Sequence, residues 1–145
     1  MRYELIACTD RDREWAYALK SEAYREVVER QFGLWDEATQ RDFFTTRWNP
    51  QISSVIVIEG EKVGLLAVEE QAEGLWLDEI QIVKTWRGRG LGTLIIQDLL
   101  KRGPLRLQVL RQNSGALSLY WRLGFRAEGE NETHYFMRHP GSKLP

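Results

Sequence analysis

Apolar positions recur with a helical period before about residue 50 and mostly with a strand-like period after it. A short apolar run at Tyr3–Cys8 predicts a first strand. Thr9 and Asp12 have the spacing of a capping box, which predicts a helix that Gly33 ends. Asp36 has the form of an N-cap for a second helix. The N-terminal part of the chain is therefore predicted to be one strand followed by two helices.

β-Branched and aliphatic runs predict a row of strands in the middle of the chain. Ile52–Glu59 and Val63–Glu69 flank a turn, Gly60-Glu61-Lys62, and this arrangement is typical of a hairpin. Leu75–Val83 is predicted to be a third strand, and a glycine-rich loop follows it.

Helical spacing returns after that loop, with apolar residues at Leu91, Leu94, Ile95 and Leu99, and Gly103-Pro104 stops the pattern. The remaining segments are predicted to be a strand, a short helix and a hairpin: Leu105–Leu110, Ser114–Leu123, Phe125–Glu130 and Thr133–Arg138. The predicted order is β-α-α-β-β-β-α-β-α-β-β. Such a mixed order in one short chain favours a single α/β domain over residues 1–145, with helices on both faces of a central sheet.

Composition and charge narrow the function classes. The formal net charge of −1 gives no global attraction to nucleic acid or to anionic lipid. With one cysteine, Cys8, and two histidines, neither an internal disulfide nor a Cys/His zinc site is expected, and no metal is predicted. The N-terminal residues contain no apolar run long enough for a signal peptide or a membrane span. The default prediction is a cytoplasmic protein with no membrane association.

The segment KTWRGRGLGTLII, residues 84–96, places three glycines and two arginines where the third helix begins. Gly88, Gly90 and Gly92 let the backbone approach a ligand closely. The N–H groups and the dipole at the helix start attract an anion, and Arg87 and Arg89 add positive charge. A phosphate group is therefore the predicted guest.

Two common phosphate-binding patterns do not fit this segment. A P-loop ends in Gly-Lys-Ser/Thr, whereas Gly92 is followed directly by Thr93. A dinucleotide fingerprint reads G-x-G-x-x-G, whereas this loop reads G-x-G-x-G and follows no parallel βαβ opening.

Three parts of the chain instead resemble the GNAT N-acetyltransferase superfamily. The run from Arg87 to Gly92, RGRGLG, is similar to the family's acetyl-CoA signature Q/R-x-x-G-x-G/A. LDEIQIV, residues 77–83, resembles its splayed central strand, and NSGALSLYWRLGF, residues 113–125, resembles its N-x-x-A…Y…G-F block. The resemblance spans nearly the whole chain. It implies a GNAT fold with a mixed, mostly antiparallel sheet, and acetyl transfer from acetyl-CoA to an amine.

The resemblance also implies a binding site for acetyl-CoA. The family's central strand pairs with the pantetheine arm, and the glycine loop binds the phosphates. Asn113 equally has the form of a helix cap, and the two roles are compatible. The predicted cofactor-binding residues are Ile80, Gln81, Ile82, Arg87, Gly88, Arg89, Gly90, Leu91, Gly92, Thr93 and Asn113.

Acetyl transfer requires a neutral amine, because an ammonium group has no lone pair. We predict direct attack on the thioester in a ternary complex, with no covalent enzyme intermediate. Strand N–H groups around Gln81 and Ile82 are candidate donors to the oxyanion. Tyr120 occupies the position of the family's proton donor to the departing thiolate. In the alternative interpretation, Tyr120 shares a helical face with Ala116 and Leu117 and is a core residue.

The general base is left open between Asp78, Glu79 and a chain of water molecules. If Asp78 shares a strand face with Ile80 and Ile82, its apolar neighbours raise the pKa of its carboxyl. It also matches in position a glutamate that polyamine-acetylating relatives use. Glu79 falls on the opposite face with Gln81, where solvent or a salt bridge accounts for it.

One departure from the family pattern bears on the substrate. Some relatives that acetylate protein N-termini have a glutamate where this chain has Gln108, and an amide cannot act as a base. The acceptor pocket is predicted at the two N-terminal helices and their junction. Its aromatic walls would suit a cationic amine, although core packing is the alternative role of such residues. The predicted substrate-binding residues are Tyr24, Arg25, Phe32 and Trp35.

Two other function classes compete with this interpretation. The RGRG run could contact RNA, with Trp86 and Trp121 stacking on bases, but the net charge and the lack of a basic stripe argue against nucleic acid. A GNAT-like acyl-CoA sensor or partner-binding module would hold the cofactor without catalysis, and Tyr120 argues for chemistry instead. The partners predicted are a small-molecule or peptide amine and, as the resemblance implies, a second copy in a homodimer.

Overall fold

The computed structural model describes residues 1–142, so the last three residues of the predicted 1–145 domain lie outside it. Its elements follow the predicted order, with short 3-10 turns at Asp10–Asp12 and Lys84–Trp86. The helices are α1 (Arg13–Phe32), α2 (Glu37–Arg47), α3 (Leu91–Leu100) and α4 (Ser114–Arg122). The strands are β1 (Glu4–Ala7), β2 (Ser53–Ile58), β3 (Glu61–Gln71), β4 (Gly74–Ile82), β5 (Leu105–Leu110), β6 (Arg126–Glu130) and β7 (His134–His139).

The strands form one seven-stranded sheet in the order β1-β2-β3-β4-β5-β7-β6. β1 pairs antiparallel with β2, and β2 with β3. β7 pairs antiparallel with both β5 and β6. β4 and β5 run parallel, with Leu75 opposite Leu105. The predicted α/β class, with a mixed and mostly antiparallel sheet, is confirmed.

Local sequence signals explain where the first two helices begin and end. The backbone N–H of Thr9 donates to Oδ2 of Asp12 at 2.9 Å, which completes the predicted capping box. Gly33 ends α1 in the left-handed conformation, with φ 89°. Oδ2 of Asp36 accepts from the backbone N–H of Thr39 at 3.0 Å, so Asp36 is the predicted cap of α2.

The turn between β2 and β3 is shorter than predicted. β3 already begins at Glu61, so the turn is Glu59-Gly60 rather than Gly60-Glu61-Lys62. Both turn residues have positive φ, 50° and 79°, as a two-residue type I′ turn requires. This backbone twist matches the right-handed twist of the flanking strands, which favours the tighter connection.

The chain divides into two compact units, Met1–Ala67 with Glu79–Arg87 and Val68–Asp78 with Gly88 onwards. Each has its own buried residues. The core cluster of the first unit consists of Cys8, Ala16, Tyr17, Leu19, Phe44, Val55, Val57 and Leu65. The most deeply buried large side chains of the second unit are Leu91, Ile95, Ile96, Leu105, Leu107 and Phe125. The first unit carries the end of β4, and the second carries α3 and α4.

Within residues 1–142, no helix combines the length and the apolar character needed to cross a lipid bilayer. The same residues contain no group of three or more His, Cys, Asp or Glu side chains that could hold a metal ion.

Candidate active site

The glycine loop leads directly into helix α3 and leaves its backbone accessible. Gly88 and Gly90 have φ of 75° and 85°, a region that residues with a side chain rarely adopt. A Cβ atom built on Gly88, Gly90 or Gly92 would meet no other described heavy atom within 4 Å. The space beside these three residues is therefore open to a ligand.

Helix α3 offers donors at this point. Its first turn closes with the bond from the backbone N–H of Leu94 to the carbonyl of Gly90, at 3.0 Å. The N–H groups of Leu91, Gly92 and Thr93 precede that bond, so they have no acceptor within the helix. Gly90 is the N-cap and carries no side chain to cap them. Such a helix start suits a phosphate group.

Arg87 is engaged within the protein rather than directed at the open space. Its Nε donates to the carbonyl of Ile82 at 2.8 Å. Its two terminal nitrogens bind the two carboxylate oxygens of Glu22 on α1, one of them at 2.9 Å. The hydrogen bond and charge of Arg87 lower the pKa of Glu22. Arg89, the second arginine of the loop, is exposed.

The side chain of Asp78 is exposed. Trp76, Ile80 and Ile82, which share its face of β4 by alternation, are half-buried. Asp78 is thus less buried than the apolar residues on its face, and its role as a general base stays a prediction.

Glu79 makes the salt bridge that was one of its two predicted explanations. Its Oε2 lies 3.0 Å from Nζ of Lys20 on α1, and its side chain is only 12% exposed. Its Oε1 accepts a hydrogen bond from the side-chain amide of Gln81. Nζ of Lys20 also lies 5.7 Å from the ring centroid of Tyr24. Both carboxylate oxygens of Glu79 are thus engaged by neighbours on the same unit.

The predicted acceptor residues lie around the junction of α1 and α2. The guanidinium of Arg25 lies 5.9 Å from the ring centroid of Trp35. Nε1 of Trp35 donates to Oε2 of Glu37 at 2.9 Å, and this bond is the main cause of the lowered pKa of Glu37. Phe32 is 52% exposed and Tyr24 is half-buried. One aromatic face predicted for a cationic guest therefore already faces the protein's own cation.

Helix α4 positions Asn113 and Tyr120. Oδ1 of Asn113 accepts from the backbone N–H of Ala116 at 3.2 Å, which confirms its role as a cap. Tyr120 is buried, and its ring packs edge-to-face on Phe125 with centroids 5.4 Å apart. The packing expected of a core residue is present, and the role of Tyr120 as a proton donor stays a prediction.

Lys20 and Glu22 were not predicted to belong to the site. Both lie on α1, and each forms an ion pair with a predicted site residue, Glu79 or Arg87. A local sequence signal for these pairs is lacking, because the partners are separated by 59 and 65 residues in the sequence. Only their opposite charges hint at pairing.

A family model described as an acetyltransferase (GNAT) domain matches residues 51–127, which is more than half of the chain. The chain belongs to the GNAT acetyltransferase family. The matched region of this GNAT protein includes β4, the glycine loop and α4. No curated protein sequence matches the chain.

Solved structures share this GNAT fold over nearly the full length of the chain. PaiA N-acetyltransferase from Thermoplasma acidophilum in complex with coenzyme A is 16% identical, with a TM-score of 0.76 over 97% of this chain and 99% of that one. An acetyltransferase from Thermus thermophilus is 22% identical, with a TM-score of 0.72 over 97% of each chain. The ribosomal-protein-S18-alanine N-acetyltransferase from Escherichia coli is 17% identical, with a TM-score of 0.66 over 99% of this chain and 97% of that one.

Proposed function

We propose that this protein transfers an acetyl group from acetyl-CoA to a primary amine of a small molecule or a peptide. The observation that carries the proposal is the open glycine loop at the start of α3, with positive φ at Gly88 and Gly90 and no described atom near their missing side chains. Family membership and the coenzyme A complex of PaiA support acetyl-CoA as the donor.

The N–H groups of Leu91, Gly92 and Thr93 are proposed to bind the pyrophosphate of acetyl-CoA, because they lack acceptors within the helix. The backbone of Ile80 to Ile82 is proposed to run beside the pantetheine arm, and its N–H groups to stabilise the oxyanion. Arg89 contributes positive charge next to Gly88 and Gly90.

In the proposed reaction, the amine nitrogen adds to the thioester carbonyl carbon to form a tetrahedral oxyanion. The carbonyl then re-forms as the carbon–sulfur bond breaks and the thiolate leaves. Tyr120 gives a proton to the departing thiolate, since a phenol is a suitable acid for a thiolate of pKa about 8.5. The amine loses its proton to Asp78, to Glu79 or to water. Glu79 would have to release Lys20 or Gln81 to act as the base, because both of its carboxylate oxygens have partners.

The test combines two measurements on the whole chain. Calorimetry with acetyl-CoA measures binding, and a thiol-release assay with a panel of amines measures turnover. The panel should contain polyamines, amino acids, and peptides with a free terminus or a lysine. Binding with turnover on at least one amine supports the proposal. Binding without turnover indicates a non-catalytic acyl-CoA sensor, and lack of binding contradicts the assignment of the loop.

The cytoplasmic location and the homodimer also remain proposals. Light scattering of the purified chain measures the oligomeric state directly, and a monomeric mass at micromolar concentration would contradict the homodimer.

A further inference from the structure

Two ion pairs connect helix α1 to β4 and to the residue before the glycine loop. Lys20 and Glu22 lie within one turn of α1, with opposite charges. Lys20 binds Glu79 on β4, and Glu22 binds Arg87, which immediately precedes Gly88. The opposite order of charges on the two segments therefore matches each residue of α1 with one partner.

All three guanidinium nitrogens of Arg87 donate hydrogen bonds within the protein. Nε holds the carbonyl of Ile82, at the end of β4, at 2.8 Å. The two terminal nitrogens bind the Glu22 carboxylate as a fork. The backbone N–H of Arg87 donates to the carbonyl of Lys84 at 3.3 Å. The side chain of Arg87 therefore links the two ends of the turn from Ile82 to Arg87, and it also links this turn to helix α1.

We infer that Arg87 is a positioning residue, held by Glu22, that sets the backbone at the entrance of the glycine loop and does not bind the phosphates of the cofactor. This inference rests on the proposed function. A loop that is already held in its binding conformation loses less conformational entropy when a ligand binds, so its affinity is higher.

The geometry separates this role from that of a direct ligand. An arginine recognises phosphate through the same bidentate fork that it uses for a carboxylate. In this structure the fork is on Glu22, and binding a phosphate would require Arg87 to give up that carboxylate. If Arg87 bound the phosphates, removing the charge of Glu22 would free its guanidinium and tighten the binding of acetyl-CoA. If Arg87 is a positioning residue, the same change weakens the binding of acetyl-CoA.

The experiment is a double-mutant cycle with Glu22→Gln, Arg87→Gln and the double variant. Calorimetry gives the dissociation constant of acetyl-CoA, and steady-state kinetics with an accepted amine gives KM and kcat separately. Each single variant is expected to raise the dissociation constant and the KM for acetyl-CoA about fivefold, the size of one partly exposed ion pair. The double variant is expected to be no weaker than either single variant. The kcat at saturating acetyl-CoA should stay within about twofold of wild type.

Two further variants complete the test. Glu26→Gln removes an exposed acid one turn later on α1 and is expected to leave KM unchanged. Arg87→Lys keeps the positive charge but cannot form the bidentate contact with Glu22. Its affinity for acetyl-CoA should lie between those of Arg87→Gln and wild type. Tighter binding by Glu22→Gln would overturn the inference in favour of a ligand role. A lower melting temperature with an unchanged dissociation constant would overturn it in favour of a purely structural role. Failure of wild type to bind acetyl-CoA would instead contradict the proposed function.

Discussion

At the scale of single residues, Tyr120 shows how packing and a proposed chemical role coexist. Its ring is buried and packs edge-to-face on Phe125. Packing in the core accounts for an aromatic ring at this position, and a phenylalanine ring would pack in the same way. The hydroxyl is therefore the part of the residue on which the chemistry can be tested.

Tyr120→Phe keeps the ring and removes only the hydroxyl. Turnover is expected to fall by about 10²-fold, because a general acid contributes at least that much to a proton transfer. The dissociation constant of acetyl-CoA should change little, and the free energy of unfolding by no more than about 1 kcal/mol. Thiol release, calorimetry and denaturation measure the three quantities. Tyr135→Phe, at a half-buried tyrosine of β7, is the control. Unchanged turnover would show that Tyr120 is not the donor.

Some residue roles could be predicted from the sequence because their partners are close along the chain. The caps at Thr9, Asp36 and Asn113 bind backbone groups two or three residues away, and all three were predicted. The pairing of Glu22 with Arg87 could not be predicted, because it depends on where α1 lies after folding. The exposure of Asp78 could not be predicted either. Alternation divides β4 into two faces but does not say how far either face is covered.

At the scale of elements, β3 and β4 approach each other closely at Gly64. A Cβ atom on Gly64 would lie 2.4 Å from the backbone oxygen of Gln81 and 2.9 Å from Cδ1 of Ile56. The position therefore requires a residue without a side chain, and it fixes β3 against the part of β4 that carries Glu79 and Gln81.

Gly64→Ala is expected to destabilise the fold by about 1–3 kcal/mol, because the strand backbone must shift to make room for a methyl group. Urea denaturation measures the change in the free energy of unfolding. Gly115→Ala is the control, since a Cβ on Gly115 in α4 meets no described atom within 4 Å. Equal stability of Gly64→Ala and wild type would show that the two strands separate easily at this point.

Gly92 in the first turn of α3 allows a test that separates folding from binding. It does not have positive φ, and a Cβ there has open space, so alanine should fit and raise helix stability by up to about 1 kcal/mol. Alanine is a residue that the family signature accepts at this position, whereas valine would place a branched side chain in the way of the proposed pyrophosphate. Gly92→Ala is therefore expected to raise the melting temperature and to keep acetyl-CoA binding, and Gly92→Val to weaken that binding about tenfold or more.

The matched change is Gly90→Val, which is expected to abolish binding but also to lower the melting temperature, because valine is strained at φ 85°. Calorimetry and thermal denaturation separate the two effects. Undiminished affinity in Gly92→Val would place the phosphates elsewhere.

At the scale of the whole molecule, several carboxylates couple the stability of the fold to pH. Hydrogen bonds from Arg87, Arg106 and Trp35 are the first cause of the lowered pKa values of Glu22, Glu73 and Glu37, respectively. A carboxyl whose pKa is lower in the folded state stabilises the fold above its unfolded pKa, which is 4.5 for these glutamates. That contribution is lost as the pH falls through the folded pKa.

These groups are therefore expected to leave the melting temperature unchanged near neutral pH and to lower it as the pH falls below about 4.5. Thermal denaturation at a series of pH values measures the profile. In Glu22→Gln the acid-induced loss should be smaller, because one of the contributing carboxyls is gone. A melting temperature that rises on acidification would contradict the sign of these pKa shifts.

The fold as a whole could be predicted because its signals are local or repeated. The change from helical to strand-like spacing indicated the α/β fold, and three motifs at residues 77–83, 87–92 and 113–125 resembled the GNAT family, which the family model confirms. The acceptor could not be predicted. The residues predicted to bind it make contacts that are set by the fold, such as Arg25 over Trp35, and the sequence does not reveal them.

The buried position of Cys8 in the core of the first unit has a practical consequence. Burial, and secondly the charge of Asp12, raises the pKa of its thiol to about 11. Because the reactive form is the thiolate, a maleimide added at pH about 8 should leave the folded protein unmodified and should label it only in denaturant. Mass spectrometry before and after unfolding checks this, and rapid labelling of the native chain would contradict it.

Since Cys8 is the only cysteine of the chain, a second one introduced at Arg89 or Phe32 would be the sole reactive thiol of the folded protein. A fluorophore could then be attached to the loop or to the helix junction without first removing the native cysteine.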